Sequence, residues 1–382
     1  MSERVLTDQV VRSAHASGAE PAGVGRELVA GLSGVDAGAV LFFCSPAVDG
    51  EQVARELVDA FPQAPVIGCT TAGEFTERAG STGGASAVVL PTGVVRRAAA
   101  SLADLRHGID DAVIGSLRHI EERLEIRLRD VDPRRYVGFV LIDGLHGTEE
   151  RVNEVLGNMA PLMSFVGGSA GDDLKFSRTD VYSGRATSAH GAALLVVDAA
   201  VPFTIVKSCS FEPAGRRFTI TDADTAQRIV WELDGRPAAQ VYAEAVGSGI
   251  QGLADREFSA HPLGLMIDGK PWIRSPQQVI EGRGIKFYCQ ILPGMEVELM
   301  NSTDLIGDTR AAIRSAVDEV GGEASGAVMF NCILRRLEMD AKDLHQPFVD
   351  AIGGIPTAGF HTYGESWLGH INQTLTAVVF GR

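Results

Sequence analysis

The sequence predicts a mixed α/β fold: a two-domain body of repeated strand-helix-strand-loop-strand units, forming mixed sheets with helices packed on them. Three observations predict it. Short apolar runs of strand length alternate with stretches of helical periodicity. The loop GCTTAGE (68–74) returns as GFHTYGE (359–365), each a Gly, four residues, then Gly-Glu. Gly is abundant, at 44 of 382 residues, so turns and close backbone approaches are expected.

In the first unit AVLFFC (39–44) is an apolar strand run. EQVARELVDAF (51–61) sets Val53, Leu57, Val58 and Phe61 at helical spacing. PVIGC (65–69) leads into the loop and ASAVVL (85–90) closes the unit. ADLRHGIDDAVIGSLRHIEERLEIRLRD (103–130) then holds a long amphipathic helix. The second unit runs through GFVLID (138–143), a helix over TEERVNEVLGNMA (148–160), SFVGGSAGDD (164–173) and the strand AALLVV (192–197). Its loop is one residue shorter, with Asp172 in the acidic place.

A different region follows. RFTITDADTAQRIVWELDGRPAAQVYAEAVG (217–247) reads as two strands and a helix beginning near Pro237. Residues 258–300 alternate and are rich in turns, as in a meander of strands. The third unit is GAVMFN (326–331), a helical KDLHQPFVDAIGG (342–354), TAGF (357–360), the loop, and QTLTAVVF (373–380). Strand end and loop glycine stand 24 residues apart in two units (Cys44 to Gly68, Asp143 to Gly167). The third has 28 (Asn331 to Gly359), with the surplus near RRLEM (335–339). Five elements recurring in order indicate duplication. A domain boundary is expected near 215–222, where EPAGRR offers a turn and charge.

The formal charge of −15 repels phosphate backbones, so no nucleic acid is expected as partner. The N-terminus lacks a signal-peptide pattern, and the longest apolar run (191–206) is broken by Asp198 and Pro202, so no membrane span is expected. Five unpaired cysteines fit reduced thiols in a cytoplasmic protein, with no zinc spacing and no metal-ligand set.

Strand ends and Gly-rich loops gather where open α/β sheets bind ligands. The candidate ligand-binding residues there are Cys69, Thr70 and Glu74 in the first loop, and Gly168, Ser169 and Asp172 in the second. Asn331, Cys332, Arg335, His361, Tyr363, Glu365 and Asn372 complete the set in the third unit. Glu365 with Arg335 would clamp the two ends of a zwitterion, or else pair with each other. No P-loop lysine stands in GCTTAGE, which excludes a nucleotide cradle. No catalytic motif is present; His146 with Asp143, or Cys332 with His361, are the pairs from which a hydrolase could be assembled.

PVIGCTTAGEF, SFVGGSAGDD, WELDGRPAAQVY, HPLGLMIDG, LPGMEVELM, FNCILRR and GFHTYGES…HINQTLT together resemble the FIST family. The resemblance covers nearly all of the chain beyond about residue 25. It implies an N-terminal arm over 1–25, a FIST N-terminal domain over 26–218 and a FIST C-terminal domain over 219–382. It also implies a non-enzymatic sensory module of bacterial or archaeal signal transduction that binds a small ligand such as an amino acid. The Arg that the family usually places shortly after this Cys is Arg335. With no kinase, helix-turn-helix or receiver segment in the sequence, output is expected through a separate protein such as a histidine kinase. An alternative implied by some members is a haem-based nitric-oxide sensor, for which His146, His190, His261, His345, His361 and His370 are the candidate ligands.

Overall fold

The computed structural model describes residues 10–18 and 20–382, with 28% helix and 41% strand in several mixed sheets. The repeated unit forms three times. In the first, strand Ala37–Cys44 crosses through helix Gly50–Ala60 to the parallel strand Val66–Thr70, and Ala85–Pro91 returns antiparallel on its other side. The second repeats this with Tyr136–Ile142, helix Glu149–Met159, Ser164–Ser169 and Gly191–Ala199. The third uses Ala324–Cys332, Thr357–Thr362 and Thr374–Gly381. Its crossover holds two helices, Ile333–Lys342 and His345–Ile352, so the surplus near RRLEM is an added helix.

A further strand lies antiparallel beside each closing strand: Arg12–Ala16, Val95–Asp104 and Phe203–Cys209 in turn. The N-terminal arm expected over 1–25 is therefore partly a sheet strand; residues 1–9 and 19 lie outside the described residues.

The loops close the design. After its second parallel strand, each unit sends a hairpin into a neighbour's sheet. Glu74–Thr76 and Gly80–Ser81 extend the third sheet, beside Thr357–Thr362. Glu365–Trp367 and His370–Ile371 extend the second, beside Ser164–Ser169. Val181–Ser183 and Ala186–Ser188 extend the first, beside Val66–Thr70. Unit one thus reaches into three, three into two, and two into one. Each sheet gains two short strands on an edge that would otherwise show unpaired backbone groups.

Inner faces of the three sheets share one core. Phe43 lies 4.8 Å from Phe360 and 6.1 Å from Phe330, ring to ring, and Phe330 lies 6.5 Å from Phe139. All four rings are fully buried. Outer faces are covered by helices, among them Val24–Leu32 and Gly50–Ala60 on the first sheet and Ile109–Leu124 and Glu149–Met159 on the second. Strands buried on both faces carry near-continuous apolar runs, which is why AVLFFC and AALLVV show no alternation.

The region between units two and three builds a separate eight-stranded antiparallel sheet, as its meander pattern predicts. EPAGRR is not a turn. It lies within the long strand Phe211–Asp224, whose register shifts between Pro213 and Arg217. Helix Ala238–Val246 packs on this sheet through Ala238, Ala239 and Tyr242. Among the described residues no helix is long and apolar enough to cross a membrane.

Candidate functional site

The glycine loops meet, and they do so by bonding to one another. Thr70, Ser169 and His361 occupy matching places at the ends of the second parallel strands, and each exchanges two backbone hydrogen bonds with an arriving loop. Thr70 N–H donates to Asp180 and its carbonyl accepts from Gly171 (2.9 and 3.0 Å). Ser169 pairs in this way with Gly364 and Tyr363 (2.8 and 3.2 Å), and His361 with Gly73 and Ala72 (2.8 and 3.1 Å). Gly73 turns with φ +105°, and a Cβ on Gly171 would stand 2.9 Å from the Cβ of Ala72. Both glycines are required by the joint itself.

Two buried carboxylates lock these joints. Thr71 donates to Glu74 Oε1 and Ser81 Oγ to its Oε2 (3.2 Å). Thr362 donates to Glu365 Oε1 (3.1 Å), while Thr374 gives its N–H (3.0 Å) and hydroxyl (2.6 Å) to Oε2. Both carboxyls are shielded from water, and burial pushes each up to about 8, against the opposing pull of these donors. The repeated Thr-x-x-Glu is thus a structural clasp.

Asp172 does not repeat it. The register that puts Glu74 opposite Phe360 and Glu365 opposite Gly168 puts Val181 opposite Cys69, so Val181 holds the acidic place. Asp172 instead folds the excursion before Val181, accepting N–H groups from Phe176, Ser177 and Arg178 and the hydroxyl of Tyr363 (2.6 Å). Although burial opposes it, the Tyr363 hydroxyl and these N–H groups hold its carboxyl below the usual range.

Neither the Glu365–Arg335 clamp nor a pair between them forms. The guanidinium of Arg335, fully enclosed, donates to Asn331 Oδ1 (2.8 Å), Ser210 Oγ (3.0 Å) and Thr309 Oγ1 (2.6 Å). Each of its three nitrogens thus donates to a group of the fold. Cys332 and His361 make no catalytic pair either. The His361 ring Nδ1 meets Asn331 Nδ2 at 2.9 Å, and burial drives the Cys332 thiol well up and the His361 imidazole well down. Cys69 and Gly168 are core positions beside arriving strands. Asn372 is buried with both side-chain amide atoms lacking a hydrogen-bond partner, a place for a water or a ligand polar group.

Two clefts open at the seams. One, about 330 Å³, lies between the first unit's hairpin and the third unit's helices. It is lined by Phe75, Ser81, Arg336, Asp340, His345, Phe348 and His361. The other, about 310 Å³, lies where the second unit's strand end faces the meander and helix Ile333–Lys342. Its walls include Leu174, Phe176, Phe287, Leu334, Leu337 and Tyr363, and its polar groups Glu149, Gln277, Lys286 and Arg228. Of the thirteen candidate residues, His361 lines the first cleft and Tyr363 the second, and the others line neither.

The second cleft has the features of a binding site. Arg228 reaches it while paired to Glu149 (3.3 Å) and Glu150 (2.5 Å), whose charges hold its guanidinium above its ordinary value in spite of burial. Lys286 has no ion-pair partner among the described residues. Leu174, Phe176 and Leu337 are exposed by 37%, 58% and 38%, a concentration of apolar surface at one rim. Leu174 and Phe176 also adopt positive φ (62° and 49°), a strained backbone state for such side chains. Tyr363 holds them there, its hydroxyl accepting from Leu174 N–H at 2.7 Å and its ring stacking 5.2 Å from Phe176.

A haem does not fit these clefts. A proximal histidine needs an apolar slot. The cleft with histidines is lined by Arg336, Asp340 and Gln346, and the apolar cleft has no histidine. Sequence reasoning missed the second cleft, because Arg228 and Lys286 lie in the meander, outside every repeat. It also missed the meeting of His190 with Asp143 and His146.

Repeated α/β units, interlocked by their loops, thus leave clefts at their seams. The FIST N domain model matches residues 38–236 and the FIST C domain model matches 238–367, so the chain belongs to the FIST family. FIST domains are associated with small-ligand-binding sensors of signal transduction. The chain is 26% identical over 222 residues to uncharacterized protein MJ1623 of Methanocaldococcus jannaschii, covering 53% of this chain and 42% of that one. It is 28% identical over 177 residues to uncharacterized proteins Mb0898c of Mycobacterium bovis and MT0897 of Mycobacterium tuberculosis, covering 42% of this chain and 44% of each. The matches thus span less than half the length of these relatives.

Proposed function

We propose that this protein is a cytoplasmic sensor whose ligand is an amino acid or a similar small carboxylate with an apolar body, bound in the cleft beside Arg228. The carrying observation is the composition of that cleft: Arg228 and Lys286 beside Glu149, facing walls of Leu, Phe and Tyr. Cations would receive the carboxylate, Glu149 an ammonium, and the exposed apolar rim the ligand's body. Covering Leu174 and Phe176 would offset the cost of holding them at positive φ. Ligand would then favour one arrangement of the 172–178 excursion against the meander, since only unequal affinity shifts an equilibrium. A separate signalling protein, such as a histidine kinase, would read that arrangement.

A thermal-shift screen of amino acids and small organic acids tests this reading. A true ligand at about a hundred times its Kd adds about 2.7 kcal/mol to stability. Hits are expected to share a carboxylate and an apolar group. A screen whose hits lack a carboxylate, or that has none, would contradict the reading.

A further inference from the structure

We infer that Asp143, His146 and His190 form a binding site for a borderline divalent metal ion of the zinc, nickel and cobalt class. The inference is independent of the ligand assigned to the cleft beside Arg228. One donor atom from each of the three residues lies within 4.8 Å of the other two. Asp143 follows directly on the second unit's opening strand, His146 stands three residues later, and His190 precedes the closing strand Gly191–Ala199. Backbone hydrogen bonds fix Asp143 and His190 at one sheet end, the Asp143 N–H donating to the Gly191 carbonyl and the His190 carbonyl accepting from Leu105 N–H, each at 2.9 Å, and His146 sits in the bend that follows.

The electrostatics favour a cation there. Asp143 is fully shielded from solvent, and among the described residues its only ionisable partner is His146, with Nδ1 2.5 Å from Oδ2. A buried carboxylate without a Lys or Arg is costly unless some cation compensates it. Thr179 Oγ1 (2.7 Å) and the Leu145 N–H (3.1 Å) both donate to Oδ1, an outer shell that orients the carboxylate and leaves Oδ2 toward the histidines. The two imidazoles stack face to face, 4.1 Å between centroids and 11° between planes. Parallel rings send their in-plane lone pairs in parallel directions, so one ring must turn about its side-chain bonds before both nitrogens face a single ion.

Two imidazoles and one carboxylate suit zinc and its neighbours better than magnesium or calcium, which prefer oxygen alone. Zinc donors at about 2.0–2.1 Å in tetrahedral geometry stand about 3.4 Å apart. His146 is exposed and His190 half-buried, so their rings can rotate to close the remaining gap. Water from the open side would fill the fourth position.

Tag-free full-length protein, stripped by chelator and dialysed, would be titrated calorimetrically with ZnCl2 and followed optically with CoCl2. One equivalent is expected to bind, and Co2+ is expected to give ligand-field absorption in the visible. His146→Ala and His190→Ala should each weaken binding at least about tenfold, with circular dichroism confirming that each variant is folded. Wild-type affinity equal to that of the double His variant would overturn the assignment, as would Co2+ spectra that neither substitution alters.

Discussion

Replacing Glu365 with Gln tests the clasp that holds the third loop to the second sheet. The amide keeps the shape of the carboxyl and removes its titration. In the folded chain burial holds the carboxyl up at about 8, against an ordinary 4.5. Between those values the unfolded chain has released this proton and the folded chain has kept it. Folded protein then binds more protons, so stability falls as pH rises, and the loss is complete above about 8. At 1.36 kcal/mol per pH unit, the contribution lost between about pH 5.5 and 7.5 is about 2.5 kcal/mol. Urea denaturation of wild type and Glu365→Gln at several pH values in that range measures it. The difference between the two proteins cancels titrations that both share, His361 included. The variant is expected to gain about 2.5 kcal/mol on wild type across the range. A pH-independent difference would refute the reasoning, because it would mean the ionised carboxylate is fully compensated by Thr362 and Thr374.

Glu74→Gln should reproduce that slope, since its carboxyl is held at about 8 by the same cause. Phe43→Ala empties the centre of the three-sheet core and should cost about 3–5 kcal/mol in chemical denaturation. Arg335→Ala strands Asn331, Ser210 and Thr309 without their donor and should cost about 3 kcal/mol or more; a loss below about 1 would contradict the enclosed network. Tyr363→Phe removes the hydroxyl that serves Leu174 and Asp172, so hydrogen exchange over 172–178 should accelerate while the core strands keep their protection.

Much of the architecture was legible in the sequence because it is local. Strand, helix, strand, loop and strand recur with their own periodicity, and each forms where its apolar pattern places it. Loop exchange was not legible. Glu74 pairs across to Phe360 and Val181 to Cys69, contacts between distant segments that no local pattern encodes. Asp172 shows the consequence: by loop sequence it matches Glu365, yet by register it yields that place to Val181. Arg335 stands next to the strand end that suggested it, but its side chain turns inward to Ser210 and Thr309, which come from other parts of the chain. Helix Ile333–Lys342 was hidden in apparent surplus, though Ile333, Leu334 and Leu337 supply one wall of the cleft. Of that cleft's polar groups, Arg228, Gln277 and Lys286 come from a region with no internal repeat to draw attention to it.

The receptor reading is tested most directly by filling its cleft. Leu337 stands at the rim, 38% exposed, where a Trp adds bulk into the cleft without entering the core. Calorimetric titration of wild type and Leu337→Trp with the strongest carboxylate from the screen, beside Thr82→Trp in the histidine-lined cleft as control, gives the answer. Binding that is lost only in Leu337→Trp is the predicted result. Binding that survives there, or that is lost only in Thr82→Trp, would contradict the account.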